Sequence, residues 1–253
     1  MKYFDTHCHL CLEKIDANVD KIINDCKEFY LNNIGVDIPT SKLSIEQAKK
    51  YTNVFCSIGV HPVECNNISN ISVLQNELEM MLKSKNENKI IAIGETGFDF
   101  YHKPYNFTNQ KQMFLMHTLL AKKYNLPLIL HIRNAHQEAI DFIKENCKGI
   151  KLLVHCFDGN KEIAQQYLNI GCYLAFGGKI TFETNHYLIE ALSITPNKYI
   201  LSETDSPFLT PKKYGKIPNT PIHMVDVVQC INRIKNMCLT DEIFNNALHF
   251  FNM

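Results

Sequence analysis

The chain has 253 residues, 45% of them apolar, and its 26 basic residues balance 26 acidic ones. That is enough for one large core, and the composition excludes global disorder. A formal charge of zero excludes a chain-wide basic field, so an anionic partner has to be held by a local patch or by metal ions.

Ten cysteines are scattered without the repeated C-x-x-C pairs of a zinc ribbon, which points to reduced thiols and a cytoplasmic protein. No charged and then apolar leader opens the chain. No apolar run approaches membrane-spanning length, so no membrane partner is expected.

Helix-like and strand-like stretches alternate from end to end. Lys2–Phe4 predicts a short strand that runs into Asp5-Thr6-His7-Cys8-His9. Strand alternation puts His7 and His9 on one face and turns Cys8 away. Asn18–Leu31 has helical spacing of Val19, Ile22, Ile23, Cys26, Phe29 and Tyr30. Asn33–Pro39 reads as a second strand, and Ile45–Tyr51 as a short helix capped by Ser44. Val54–Val60 is a third strand ending on His61-Pro62, and Val73–Leu82 is helical. Lys89–Ile93 is a buried strand ending in Gly94-Glu95-Thr96-Gly97. The helix Asn109–Tyr124 leads to the strand Leu128–Leu130, which ends at His131. The helix Glu138–Asn146 leads to the strand Lys151–Val154, which ends at His155. The helix Lys161–Asn169, the strand Cys172–Phe176 and the helix Thr184–Leu192 follow. Tyr199–Leu201 is the eighth strand, ending in Glu203-Thr204-Asp205, and Ile222–Met237 and Asp241–Phe251 are two closing helices. The economical architecture is a single (β/α)8 TIM barrel spanning residues 1–253, and a monomer is expected.

In such barrels the active site lies at the C-terminal ends of the strands. Those ends carry His7, His9, His61, Glu95, His131, His155 and Asp205. With His61 set aside, six donors suffice for two divalent ions with positions left open for water and substrate. Imidazoles and carboxylates suit Zn, Mn, Fe or Co, and Mg less comfortably. Glu95 is placed to bridge, because its two oxygens can serve one ion each. Asp205 is a candidate base for the attacking water. The expected reaction is metal-assisted hydrolysis, with phosphodiester, amide, ester and lactone substrates all open.

Six stretches carry a resemblance: Asp5–His9, Ile58–Pro62, Ile93–Asp99, His131–Ala135, His155–Gly159 and Glu203–Leu209. As a set, in this order, they resemble the signature motifs of the TatD-related metal-dependent deoxyribonucleases, TIM barrels of the amidohydrolase superfamily. The resemblance implies a two-metal exonuclease that trims DNA, using two divalent ions (Mg, Mn or Zn) on single-stranded ends. It places His7, His9, Glu95 and Asp205 around one ion and Glu95, His131 and His155 around the other. His61 and Arg133 are expected on the substrate side, with Arg133 either contacting a phosphate or forming an ion pair within the barrel mouth. The runner-up is a hydrolase of the same fold acting on a small amide, ester or lactone, or on an aminoacyl-tRNA ester.

The sequence departs from the family pattern in loops. Pro218-Asn219-Thr220-Pro221 replaces an Arg-Asn-Glu-Pro stretch, His102 follows Tyr101 where a basic residue is usual, and Asp158 replaces a serine. Tyr101, Tyr105 and Phe107 either stack on bases or pack under their loop. Lys179, Lys212, Lys213 and Lys216 are either a local patch for DNA or an ordinary solvated surface.

Overall fold

The computed structural model describes residues 2–12, 18–68 and 70–253. Strands and helices alternate as β1 (Tyr3–Cys8), α1 (Val19–Asp25), β2 (Phe29–Ile34), α2 (Ile38–Lys50), β3 (Val54–Ile58), α3 (Ile71–Leu82), β4 (Ile90–Asp99) and α4 (Phe107–Tyr124). They continue as β5 (Leu128–Arg133), α5 (His136–Asn146), β6 (Leu152–Val154), α6 (Lys161–Asn169), β7 (Tyr173–Phe176), α7 (His186–Ile194) and β8 (Ile200–Ser202). Two helices close the chain, α8 (Met224–Lys235) and α9 (Thr240–Phe251). The eight strands pair in chain order, all parallel, and form a nearly closed barrel. Among the described residues no helix is long and apolar enough to cross a membrane.

The expected elements differ from the observed ones most between residues 18 and 50. The helix expected over Asn18–Leu31 stops at Asp25, and Phe29 and Tyr30 open β2 instead. The strand expected over Asn33–Pro39 therefore lies several residues too late. Pro39 sits in the first turn of α2, where a missing N–H costs nothing. The cap of α2 is Asp37, whose Oδ1 accepts the Thr40 N–H at 2.8 Å. Ser44, expected as the cap, lies inside the helix and donates its hydroxyl back to the Thr40 carbonyl at 2.9 Å.

The fourth strand is also longer than expected, running on through Glu95 to Asp99. Its two glycines explain this. Gly94 and Gly97 have φ of +147° and +137°, and a Cβ on Gly97 would lie 2.3 Å from the His131 carbonyl oxygen. Only glycine lets β4 press this closely on β5. The register slips between Ile93, which pairs with Leu128, and Thr96, which pairs with Leu130. That extra residue is a bulge at Gly94-Glu95, a device that re-aims a side chain. A similar slip between Asp5 and Cys8 lies in β1, beside His7.

The seam between β8 and β1 is held largely by side chains. Buried Asp5 accepts the Thr204 N–H at 2.9 Å and the Thr204 hydroxyl, and Thr6 Oγ1 donates to the Ser202 carbonyl at 3.0 Å. Burial pushes the Asp5 carboxyl up to about 8, against the lowering effect of these hydrogen bonds. Further along, Asp205 N donates to the His7 carbonyl at 2.9 Å and His9 N to the Ser206 carbonyl at 2.8 Å.

Phe4, Ile129, Leu153 and Leu201 form a buried cluster with Ala247, Phe250 and Phe251 of α9. On β5 and β6, Ile129 and Leu153 lie two residues before His131 and His155. The last helix thus closes the end of the barrel opposite the histidines, and Phe251 stacks on Phe4 with centroids 5.1 Å apart. All ten cysteines are free. Cys8 and Cys11 have C-x-x-C spacing, yet both are buried, with thiols donating to the carbonyls of Asn32 and Ile34.

Candidate metal centre

The C-terminal ends of the strands open on a cavity of about 500 Å³. Its walls include His9, His61, Glu95, His131, His155 and Asp205, with Arg133 and Lys179 nearer the rim.

Glu95 is the centre of the cluster, 2% exposed and directed by the β4 bulge. Its two oxygens face different imidazoles. Oε2 lies 3.3 Å from His7 Nε2 and 3.7 Å from His9 Nε2. Oε1 lies 2.8 Å from His155 Nε2, 2.9 Å from His131 Nδ1 and 3.6 Å from His61 Nε2. Asp205 joins the first set, its Oδ1 3.4 Å from His9 Nε2 and 3.9 Å from His7 Nε2. Its left-handed backbone, φ 53°, is one that aspartate tolerates better than most side chains.

All six sequence-selected donors therefore converge. His61, expected on the substrate side, lies among them, its Nε2 3.1 Å from His131 Nδ1. Arg133 lies at the rim, with its guanidinium carbon 3.8 Å from the centre of the Tyr101 ring.

Electrostatics divide the imidazoles. Burial lowers His7 and His61, the latter to about 3, with neighbouring imidazoles adding to the effect. Burial also works to lower His9, His131 and His155. There the facing carboxylates more than offset it, and all three stand above the ordinary value. Burial alone raises the Glu95 carboxyl, but His155, His7 and His61 hold it well below the usual range. Asp205 is lowered the same way, burial being outweighed by its hydrogen bond to His9 and the charges of His155 and His7.

This donor set fits divalent ions. Nε2 of His7 and His9 lie 3.2 Å apart and both face Glu95 Oε2, so imidazole and carboxylate lone pairs converge on shared space. His7, His9 and Glu95 form one compact group, and His61, Glu95 and His131 another. A third group, His7, His155 and Glu203, overlaps the first at His7.

Two carboxylates behind the imidazoles lacked an assigned role in the sequence reading. Asp99 Oδ2 accepts from His131 Nε2 at 2.9 Å. Glu203 Oε1 lies 3.5 Å from His155 Nδ1, an ionic contact without hydrogen-bond geometry, and accepts the Cys156 N–H at 2.6 Å. His9 Nδ1 faces the Ile34 carbonyl at 3.0 Å. Such partners fix ring orientation and raise imidazole basicity. Strand alternation offered a signal for Asp99, four residues from Glu95 along β4, but none for Glu203, which lies past the end of β8.

The departures from the family pattern acquire structural roles. Asn219 is buried, donates to the Thr204 carbonyl at 2.7 Å and accepts from His223 Nδ1 at 2.8 Å, so it clamps the turn that carries Asp205. Asp158 pairs with Lys179 at 2.9 Å and accepts the Tyr187 hydroxyl at 2.6 Å. Lys212 and Lys213 pair with Glu183 and Asp226. Tyr105 and Phe107 pack against Phe100, yet each keeps 40% of its surface exposed.

Comparison with known proteins agrees with this architecture. An uncharacterized metal-dependent hydrolase from Bacillus subtilis, YabD, is 32% identical over 238 residues, covering 92% of this chain and 91% of its own. MG009 of Mycoplasma genitalium, also described as an uncharacterized metal-dependent hydrolase, is 33% identical over 262 residues, covering 99% of both. The crystal structure of YjjV, a TatD homologue from Escherichia coli K12, matches the fold with a TM-score of 0.91 at 22% identity, covering 99% of this chain and 98% of that one. The family described as TatD related DNase matches residues 4–252, so this chain belongs to that family and is a metal-dependent hydrolase.

Proposed function

We propose that the protein is a deoxyribonuclease that cleaves phosphodiester bonds at single-stranded DNA ends. The observation that carries this reading is Glu95, whose oxygens face His7 and His9 on one side and His131 and His155 on the other. In this reading His7, His9, Glu95 and Asp205 hold one divalent ion, and Glu95, His131 and His155 hold a second. Mg, Mn or Zn there supplies an acidified water and offsets negative charge on the phosphoryl oxygens. Asp205 stays ionised and accepts the proton of the attacking water at its carboxylate. Arg133, stacked on Tyr101, presents a planar fork that suits two phosphate oxygens. His61 lines the same cavity beside His131, within reach of a bound phosphate. The protein acts as a monomer, and its ten free thiols fit the reducing cytoplasm.

The test is digestion of 3′- and 5′-labelled oligonucleotides with added Mg, Mn or Zn, using wild type and Glu95→Ala. Stepwise, chelator-sensitive shortening by wild type alone is the expected result, and the label gives the polarity. Absence of cleavage by metal-loaded wild type overturns the nuclease reading. A second reading then stands on the cavity: about 500 Å³ is the size of a small-ligand site, which suits an amide, ester or lactone substrate.

A further inference from the structure

Asp99 is fully buried and uses both oxygens twice. Oδ1 accepts the backbone N–H groups of Tyr101 at 2.9 Å and His102 at 2.8 Å. Oδ2 accepts from His131 Nε2 and from His102 Nδ1, each at 2.9 Å. Its backbone is gripped from α4, where the Gln110 amide accepts the Asp99 N–H and donates to its carbonyl, both at 3.0 Å. His131 in turn faces Glu95 through its other nitrogen. An unbroken chain thus runs from His102 through Asp99 and His131 to Glu95.

His102 is the outer end of that chain. Its side chain is 47% exposed and lines the cavity, while Asp99 behind it is 0% exposed. Its ring also meets the Tyr101 ring edge-on at 5.1 Å. The imidazole therefore does two things for Asp99. It fills the second donor position on Oδ2, and it stands between that oxygen and the water of the mouth. A carboxylate kept dry and held from both sides orients His131 more firmly than one open to solvent.

We propose that His102 is a positioning residue, acting through Asp99 to fix His131 for metal binding without itself touching the ion. The inference rests on the reading that His131 holds a divalent ion, and needs no assumption about the substrate. It also makes the loop that carries Tyr101 part of the apparatus behind the metal, since Asp99 Oδ1 holds that loop.

The test is Zn²⁺ retention against a competing chelator, using the whole chain without substrate. Asparagine can place its amide nitrogen near the position of Nδ1, whereas glutamine reaches toward that of Nε2. His102→Ala is expected to lose about tenfold in affinity, the scale for partners lying behind a ligand. His102→Asn should recover most of the loss and His102→Gln little of it, with urea midpoints compared so that unfolding is not mistaken for lost affinity. Unchanged retention in His102→Ala, or equal recovery by Asn and Gln, overturns the proposal. His131→Ala tests the underlying reading separately: if it too retains Zn²⁺ like wild type, the assignment of His131 falls and the inference with it.

Discussion

Glu95 Oε1 lies 2.8 Å from His155 Nε2, while its other oxygen is turned to the β1 histidines. One side chain therefore belongs to both halves of the cluster. Glu95→Ala should lower metal-dependent turnover by about 100-fold or more, because it removes a donor from each half at once. Steady-state rates at saturating metal check this, and near wild-type turnover would exclude the shared role.

Glu203 acts one step further back. Its oxygen sits 3.5 Å from His155 Nδ1 and supplies part of the field that raises that imidazole. Glu203→Gln keeps the shape and removes the charge. The expected result is ~10–100-fold weaker divalent-metal binding. Isothermal titration of metal-free protein measures it, and unchanged affinity would mean that His155 is oriented by packing alone.

Asn219 occupies the stretch that departs from the family pattern. Its amide ties the Thr204 carbonyl to His223 in a buried setting. Asn219→Ala should cost about 1–3 kcal/mol, the range for leaving buried polar partners unsatisfied. Urea unfolding gives the value directly. A loss of activity with stability unchanged would assign the stretch to substrate rather than to structure.

His117, not one of the donors itself, supplies a pH dependence through Val60 and Thr96, the chain neighbours of His61 and Glu95. It is fully buried on α4, accepting the N–H of Val60, just past β3, at 3.2 Å and facing Oγ1 of Thr96 on β4 at 3.0 Å. Burial drives it down to about 3 from an ordinary 6.5. Between those values the unfolded chain takes up a proton that the folded chain refuses. The stability is fully present above pH 6.5 and is lost as pH falls toward 3. The slope from this one group is up to about 1.4 kcal/mol per pH unit. His117→Gln should flatten the unfolding free energy against pH in this window, and an unchanged slope would show that His117 titrates freely in the fold.

The region around Pro39 shows where sequence reasoning misplaced an element. Phe29 and Tyr30 continue the helical spacing of Val19 to Cys26, so local pattern favoured a helix. The ladder to β1, with Tyr3 opposite Phe29, decided otherwise, because a barrel strand is fixed by neighbours distant in sequence. Glu95 shows the converse. Its identity was legible between two glycines, but its direction was not, since a bulge is a property of two paired strands.

The sequence by itself determined the alternation of strand and helix, the histidine or carboxylate at the end of most strands, and the family. Those are carried by periodicity and by residue type at fixed positions, both local. Only the tertiary structure decided which imidazoles face which oxygen of Glu95, that His61 lies among the donors, and that Asp99 and Glu203 stand behind His131 and His155. It also decided that Asp5 closes the barrel against Thr204, a partner 199 residues away. Such pairings depend on distance and direction in a closed sheet, and the order of residues along a chain does not contain them until strand register, bulge and twist have set where each side chain points.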